Sequence, residues 1–275
     1  MSSVPNIVYL NGQYLPIEEA TISVMDRGFL FGDGVYEVVP VFGNKLLRID
    51  QHLHRLKNSL ARISCMNPHS DDEWAEIFSA LLEKNIGDDR AIYLQVSRGA
   101  YSKRDLSTDK NCPPTVFAMV LQVVPPNIDV ISAGISVITV DDFRWNACDI
   151  KSTSLVANVM LKQQAADANV EDAILIKNNL VTEGTASNVF IVKEGVIITP
   201  PAGRQLLPGI TRDLVIEIAK NNAMIVEERD IREAELYQAD EIWMTSSTRE
   251  IAPVINLNGE LVGSGVAGDR WKAIM

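Results

Sequence analysis

The sequence is poor in the groups that crosslink chains or hold metals. Its three cysteines, Cys65, Cys112 and Cys148, are far apart and form no CxxC pair. That excludes a disulfide scaffold and a thiolate metal site, and fits reduced thiols. There are three histidines: His52 and His54 would fall on different faces of a helix and His69 is distant, so no metal centre is expected. Basic excess is also missing, since 25 Lys and Arg stand against 36 Asp and Glu for a net charge of −11. Such a surface argues against nucleic acid or an anionic membrane as partner. No apolar run approaches membrane-spanning length, and the N-terminus has neither a basic region nor an apolar core. A cytoplasmic protein is the expectation. Internal repeats and low-complexity tracts are absent.

What is present is an ordinary globular composition, 47% hydrophobic and 22% charged, with length enough for a sizeable core. Asn11-Gly12 marks a hairpin turn. Residues 26–34 read as a glycine-punctuated loop that feeds a strand from Val35. Asp50 reads as the N-cap of a helix with an apolar stripe of Leu53, Leu56, Leu60 and Ile63. A second helix is expected over 71–84, and strands over 91–97 and 115–123. Pro125-Pro126-Asn127 is the best boundary. The expected division is a domain over 1–121, a linker over 122–129 and a larger domain over 130–275. Within the last, strands are expected at 134–140, 173–176, 188–192, 196–199, 241–244 and 251–257. An amphipathic helix is expected from Leu155, and another from Ile210 to about Asn222. Two α+β units follow from this pattern.

Five stretches offer chemistry. Lys151 lies at a strand-to-helix junction beside Trp145, Cys148 and Ile150, where desolvation would lower the pKa of its amine and make it a nucleophile; the plain alternative is a surface lysine. Glu183 precedes a turn glycine and reads either as a carboxylate partner for a cationic ring or as an exposed loop glutamate. Gly209-Ile210-Thr211 opens a helix after Pro208, where free N–H groups favour an anion. Thr245 to Thr248 adds hydroxyls. Arg55 supplies a cation, or is a solvated helix-face arginine. Together these match the needs of pyridoxal phosphate (PLP): a lysine, a partner for the pyridine nitrogen, and donors for a phosphate.

Motifs then carry a resemblance. Asp26-Arg-Gly-x-x-Phe-Gly-Asp-Gly-Val-Tyr-Glu-Val-Val, His-x-x-Arg55-Leu, Cys-Asp-Ile-Lys151-Ser, Val-Thr-Glu183-Gly-x-x-Ser-Asn-Val-Phe, Gly-Ile-Thr211-Arg-Asp and Thr-Ser-Ser-Thr-x-Glu-Ile-x-Pro-Val occur in this order. They span about residues 8–265, and the chain resembles the fold-type IV PLP enzymes, the class IV aminotransferases, most of all their D-amino acid (D-alanine) branch. The resemblance implies an α+β fold with a smaller N-terminal α/β domain and a larger C-terminal domain with a barrel-like β core. It implies Lys151 as the Schiff-base lysine and proton shuttle, Glu183 against the pyridine nitrogen, and Leu207 behind the ring. Arg55, Ile210, Thr211 and Ser247 would hold the phosphate. Tyr36 and Val38 would lie near the substrate. It also implies a homodimer in which the small domain of one subunit closes over the site of the other.

Two departures stand out. The D-alanine enzymes carry an Arg-x-His pair that traps the substrate carboxylate, and here the loop reads Arg98-Gly-Ala-Tyr-Ser-Lys103-Arg104-Asp105-Leu. Lys103 or Arg104 keeps a cation, without the histidine; the alternative is a plain solvent loop. Ala186 replaces a serine near the cofactor. The expected function is a ping-pong PLP-dependent transaminase moving an amino group from a D-amino acid, D-alanine foremost, to 2-oxoglutarate. Branched-chain L-amino acid and (R)-amine transaminases are the alternatives, and aminodeoxychorismate lyase a more distant one.

Overall fold

The computed structural model describes residues 6–87, 89–109, 111–123 and 127–275. Two compact units emerge, the first comprising Met1–Pro125 with Ile150–Leu155, the second Pro126–Asp149 with Val156–Met275. The expected boundary residues Pro125 and Pro126 lie outside the described residues. The expected C-terminal domain over 130–275 needs one correction. Residues 150–155 pack with the first unit, because backbone and hydroxyl hydrogen bonds stitch them to the start of a strand there.

In the first unit, β1 (Ile7–Leu10), β2 (Gln13–Pro16), β3 (Gly34–Phe42), β4 (Lys45–Leu46), β5 (Arg90–Ser97) and β6 (Thr115–Gln122) form one sheet in the order β2-β1-β6-β5-β3-β4. Every pairing in it is antiparallel. The helices are α1 (Arg27–Phe31), α2 (Ile49–Arg62) and α3 (Asp71–Lys84). Alternation along β3 buries Val35, Glu37, Val39 and Val41 on one face; α2 packs on this strand with Leu53, Leu56 and Leu60 buried, and α3, with Trp74 and Phe78 buried, packs on β1 and β6. The other face carries half-buried Tyr36, Val38, Tyr93 and Phe117, with the Tyr36 and Tyr93 rings stacked 5.9 Å apart.

Two local expectations fail here. Asp26 caps a short helix, accepting from the Gly28 N–H, where a loop was expected. Asp50 is not the N-cap of α2; Arg48 holds that position in a left-handed conformation, and Asp50 sits in the first turn, where its charge still favours the helix dipole. Gly34 is required by close packing, since a Cβ there would stand 2.9 Å from the Val96 carbonyl oxygen.

The second unit contains α4 (Ile128–Ser132), β7 (Ile135–Asp141), α5 (Val156–Asp167), β8 (Asp172–Lys177), β9 (Leu180–Gly184), β10 (Asn188–Lys193) and β11 (Val196–Thr199). It continues through α6 (Ile210–Asn221), β12 (Val226–Glu228), α7 (Glu233–Leu236), β13 (Glu241–Ser246), β14 (Glu250–Leu257), β15 (Glu260–Leu261) and α8 (Asp269–Ile274). Its nine-stranded sheet runs β12-β11-β10-β13-β14-β7-β8-β9, with β15 on β14. This is a curled half-barrel. Parallel pairs β14–β7 and β7–β8 lie at its centre. β8 is buried on both faces and β14 over most of its length, as strands covered on both sides are, whereas β7 buries only Val137 fully. Val189 and Ile191 of β10 join one core with Ile174, Ile242 and Val254, while Phe190 and Val192 face Val215, Ala219 and Trp271 on α6 and α8.

The helix α5 departs from its expected amphipathicity. Leu161 and Ala165 are its buried residues, packed on Ala173 and Leu175 of β8, while Val156, Val159 and Met160 are exposed. The apolar residues are spread around the helix, so spacing alone overstated its inward stripe.

Candidate active site

The first unit gathers Lys151, Tyr36 and Arg55. The segment around Lys151 docks along the start of β3: the Tyr36 N–H donates to the Lys151 carbonyl at 2.9 Å, and the Thr153 N–H to that of Gly34 at 3.0 Å. The Val35–Ser152 bridge that results puts the Lys151 Nζ 4.3 Å from the centre of the Tyr36 ring. From the other side, α2 presents Ser59, whose Oγ accepts the Lys151 N–H at 3.2 Å. Lys151 is half-buried, and Trp145, expected to wall it in, is about half exposed within the second unit.

One turn before Ser59, Arg55 is buried and so is not a solvated helix-face arginine. Its Nε and Nη2 donate to Glu37 Oε1 and Oε2, each at 2.8 Å. His52 Nδ1 meets the same Oε2 at 2.8 Å. Burial works to raise the Glu37 pKa, but the Arg55 charge and hydrogen bonds bring it down to about 2. Burial likewise depresses His52, against the pull of Glu37. The ionised carboxylate only accepts, so the neutral imidazole carries its proton on Nδ1.

Lys103 and Arg104 lie in the loop after β5. Lys103 is largely exposed and pairs with Asp105 at 3.0 Å, and the Arg104 guanidinium lies 4.9 Å above the Phe31 ring. A cavity of about 280 Å³ opens beside them, lined by Tyr101, Lys103, Asp105, Asp109 and Cys112 among others. At the base of this loop Arg27 and Arg98 both grip Asp33, with Nε–Oδ2 distances of 2.7 and 2.8 Å.

Glu183 in the second unit is on β9 and buried, so it is not an exposed loop residue. Its Oε1 takes the Arg144 Nη1–H at 2.5 Å. Its Oε2 takes the Leu207 N–H at 3.0 Å and the Asn188 amide at 3.4 Å. Arg144 also holds Asp142, through Nε at 2.9 Å and Nη2 at 2.8 Å, and the Thr182 hydroxyl donates to Asp142 at 2.8 Å. Lys177 Nζ donates to the Arg144 carbonyl at 3.3 Å. Burial pushes Glu183 above the usual carboxylate range, opposed by Arg144. Asp142 is also resisted by burial, yet ends below its ordinary value because Arg144 serves it twice. Burial, above all, takes the neighbouring Cys148 thiol up to about 11. Asp142, Arg144 and Asn188 were missed by sequence reasoning, although Asp142-x-Arg144 directly after a strand is a visible charged pair.

The remaining candidates lie along the same unit. Leu207 is half-buried, its N–H on Glu183 and its carbonyl accepting the Asn188 amide at 2.8 Å. Ile210 and Thr211 are the first two residues of α6, whose N-cap Gly209 offers no side-chain cap. Their N–H groups therefore keep the anion preference of an uncapped helix start. Ser247 sits in the turn between β13 and β14. Just before it, Thr245 is buried, and its Oγ1 has no hydrogen-bond partner among the described residues.

This chain is similar to known proteins along nearly its whole length. It is 39% identical over 267 residues to a D-alanine aminotransferase of Bacillus licheniformis, covering 97% of this chain and 94% of that protein. A D-alanine aminotransferase of Listeria monocytogenes is 38% identical over 262 residues, with 95% and 91% covered. Among solved structures, a T.th. branched-chain amino acid aminotransferase with pyridoxamine 5'-phosphate superposes with a TM-score of 0.92 at 26% identity, over 98% of this chain and 92% of that one. The branched-chain amino acid aminotransferase of Escherichia coli gives 0.89 at 25% identity, with the same coverage. Residues 34–257 match the model of the amino-transferase class IV family. With that match over most of its length and relatives at this identity, the chain belongs to the class IV aminotransferases.

Proposed function

We propose that this protein is a PLP-dependent aminotransferase that moves the amino group of a D-amino acid, D-alanine foremost, to 2-oxoglutarate in two half-reactions. The D-alanine aminotransferases to which it is similar over nearly its full length support the substrate class. One observation carries the cofactor. Arg144 is the cation shared by Asp142 and Glu183 and all three are buried, so ionising both carboxyls leaves one negative charge, which burial resists at Glu183. Buried charge calls for a counter-charge, and a protonated pyridine ring is one. The uncapped start of α6 and the partnerless Thr245 hydroxyl fit a phosphate in the same way.

PLP, when bound, supplies an aldehyde carbon that bonds an amino nitrogen and a ring that takes up the electron pair left when a Cα proton departs. Glu183 Oε2, oriented by Leu207 and Asn188, holds the proton of the ring nitrogen. Lys151 Nζ would take the Cα proton of the amino donor and deliver a proton to the former aldehyde carbon of the cofactor, on the far side of the amino nitrogen. Arg55, Ser247, Thr211 and the Ile210 N–H anchor the phosphate, and the Leu207 side chain backs the ring. Tyr36 and Val38, on the half-buried face of the first sheet, contact the substrate. The protein works as a cytoplasmic homodimer.

The test is the visible spectrum of the PLP-loaded protein before and after D-alanine, then L-alanine. Conversion of the visible band by D-alanine alone is expected. A band that neither alanine alters overturns the substrate, and no band at all overturns the cofactor. One observation favours a second reading, as a branched-chain L-amino acid or (R)-amine transaminase: Lys103 is paired with Asp105 and Arg104 lies on Phe31, where a carboxylate trap needs a cation to offer. Conversion of the band by L-leucine or (R)-1-phenylethylamine in preference to D-alanine establishes it.

A further inference from the structure

Three of the four buried threonines described in the second unit use their hydroxyls on the protein. Thr182 donates to Asp142 at 2.8 Å, Thr185 to Asp172 at 2.5 Å and Thr199 to the Val189 carbonyl at 2.8 Å. The fourth, Thr245, is 1% exposed, and its Oγ1 has no hydrogen-bond partner among the described residues. A buried hydroxyl left unpaired costs stability, so each one calls for an explanation. Strand pairing places this one. On β13, Trp243 stands opposite Phe190 of β10, and Thr245 opposite Asn188. Residues two apart on a strand share a face, and Trp243 and Phe190 pack with Val215, Ile216 and Ala219 of α6. Thr245 and Asn188 therefore point to the α6 side as well. There the Asn188 amide donates to the Leu207 carbonyl at 2.8 Å. Asn188 Oδ1 lies so close to Gly209 that a Cβ on that glycine would stand 2.0 Å from it. Gly209 is the N-cap of α6, and side chains directly opposite on paired strands have Cβ atoms about 4.5–5.5 Å apart. The Thr245 hydroxyl thus lies next to the residue that touches the start of the helix.

We infer that Thr245 is a phosphate-binding residue, its hydroxyl donating to a phosphate monoester held at the N–H groups that open α6. This rests on the reading of the chain as a PLP enzyme and adds a ligand to the phosphate site of that reading. Two independent observations meet here. The twelve-residue α6 begins at a glycine with no side chain to cap it, so the N–H groups of its first turn keep their preference for an anion. Beside them stands a buried hydroxyl that the protein itself does not use. Arg212, in the first turn of α6, is committed elsewhere: its Nη2 donates to the Pro200 carbonyl at 2.9 Å and to Glu228 at 2.7 Å, and its Nη1 to Asp213 at 3.2 Å. What Thr245 adds at this end of the helix is a neutral donor in a fixed place. Hydrogen bonds to a charged acceptor are the stronger kind, so one hydroxyl aimed at a phosphate oxygen matters to affinity.

The experiment compares wild type, Thr245→Val and Thr245→Ser in the full chain. Each protein is freed of cofactor and titrated with PLP, with pyridoxal, which lacks the phosphate, and with inorganic phosphate. Absorbance follows the first two, and the rise in melting temperature follows the third. Thr245→Val keeps the shape of the side chain and removes the hydroxyl. It is expected to weaken PLP and inorganic phosphate roughly ten- to hundredfold and to leave the affinity for pyridoxal in place, while Thr245→Ser restores both. Cofactor-free Thr245→Val is expected to melt no lower than wild type, because the hydroxyl it loses has no protein partner. A hydroxyl that serves only the fold gives the opposite pattern, a lower melting temperature with unchanged affinity for PLP and phosphate. That pattern overturns the inference, as does a Thr245→Val protein that does not fold, or an equal loss of PLP and pyridoxal. Failure of the functional reading is separately visible. A wild-type PLP band whose affinity is indifferent to Thr245 overturns only the inference. Inorganic phosphate held through Thr245, with no PLP band, overturns only the function, and a wild type that takes up neither overturns both.

Discussion

Replacing Arg144 by methionine is the sharpest test of the buried charge group in the second unit. The arginine supplies three side-chain hydrogen bonds to two carboxylates, Nε and Nη2 to Asp142 and Nη1 to Glu183. Methionine fills much of the volume and removes all three. Asp142 then keeps the Thr182 hydroxyl and the backbone N–H of residue 144, while Glu183 Oε1 keeps no donor from that side chain. Breaking a buried pair by deleting one partner costs about 3–5 kcal/mol. Two buried carboxylates without their cation then push the pKa of Glu183 further up. A carboxyl whose folded pKa exceeds its unfolded value loses stability as pH rises from the unfolded value through the folded one, at about 1.4 kcal/mol per unit. The deficit of Arg144→Met should therefore be larger near pH 8 than near pH 5.5, growing by about 1.4 kcal/mol for each pH unit in which the variant's carboxyl stays protonated and the wild type's does not. Urea denaturation of both proteins at the two pH values reads this directly. A deficit below about 1 kcal/mol, equal at both pH values, would refute the account of a buried charge that one arginine balances.

Other outcomes follow from the same geometry. Glu183→Gln leaves Asp142 and Arg144 paired, so it should cost roughly 1 kcal/mol of stability while transamination falls about 10²–10³-fold, measured by coupled assay and denaturation side by side. Gly99 has φ +93 and a Cβ there would meet the Pro113 carbonyl. Gly99→Ala should lower stability by about 1–3 kcal/mol, visible as a lower midpoint in thermal denaturation. Acid should weaken the first unit in two stages. His52, depressed by burial, resists protonation in the fold, so stability falls as pH drops below the ordinary histidine value. Glu37 adds a loss between the ordinary carboxylate range and about 2. His52→Gln should flatten the first stage of a pH–stability series and leave the second.

Periodicity served well where the burial was one-sided. The stripe of Leu53, Leu56 and Leu60 in α2, and the alternation of β3 and β6, are properties of neighbours along the chain, so spacing shows them. It failed on α5, whose apolar residues spread around the helix, and on Asp50, where a good capping residue was passed over because the chain enters α2 through a left-handed Arg48. The lysine, the β9 glutamate and the start of α6 stood out in sequence because motifs surround them. Their partners did not. Asp142 and Arg144 reach a residue 39 positions beyond the arginine, and nothing local announces which strand they will face. Glu37 was passed over, and its partners are on a helix whose docking only the fold reveals.

The short return of the chain at Ile150–Leu155 bears on the order in which the protein is made. The first 125 residues leave the ribosome as a block, yet they lack the six-residue piece whose backbone bonds to Gly34 and Tyr36. That piece follows some 30 residues later, about 2–6 s at ordinary rates of synthesis. Throughout that interval the start of β3 emerges with its edge still open, and the nascent first unit waits for a segment that is read out in the middle of the second.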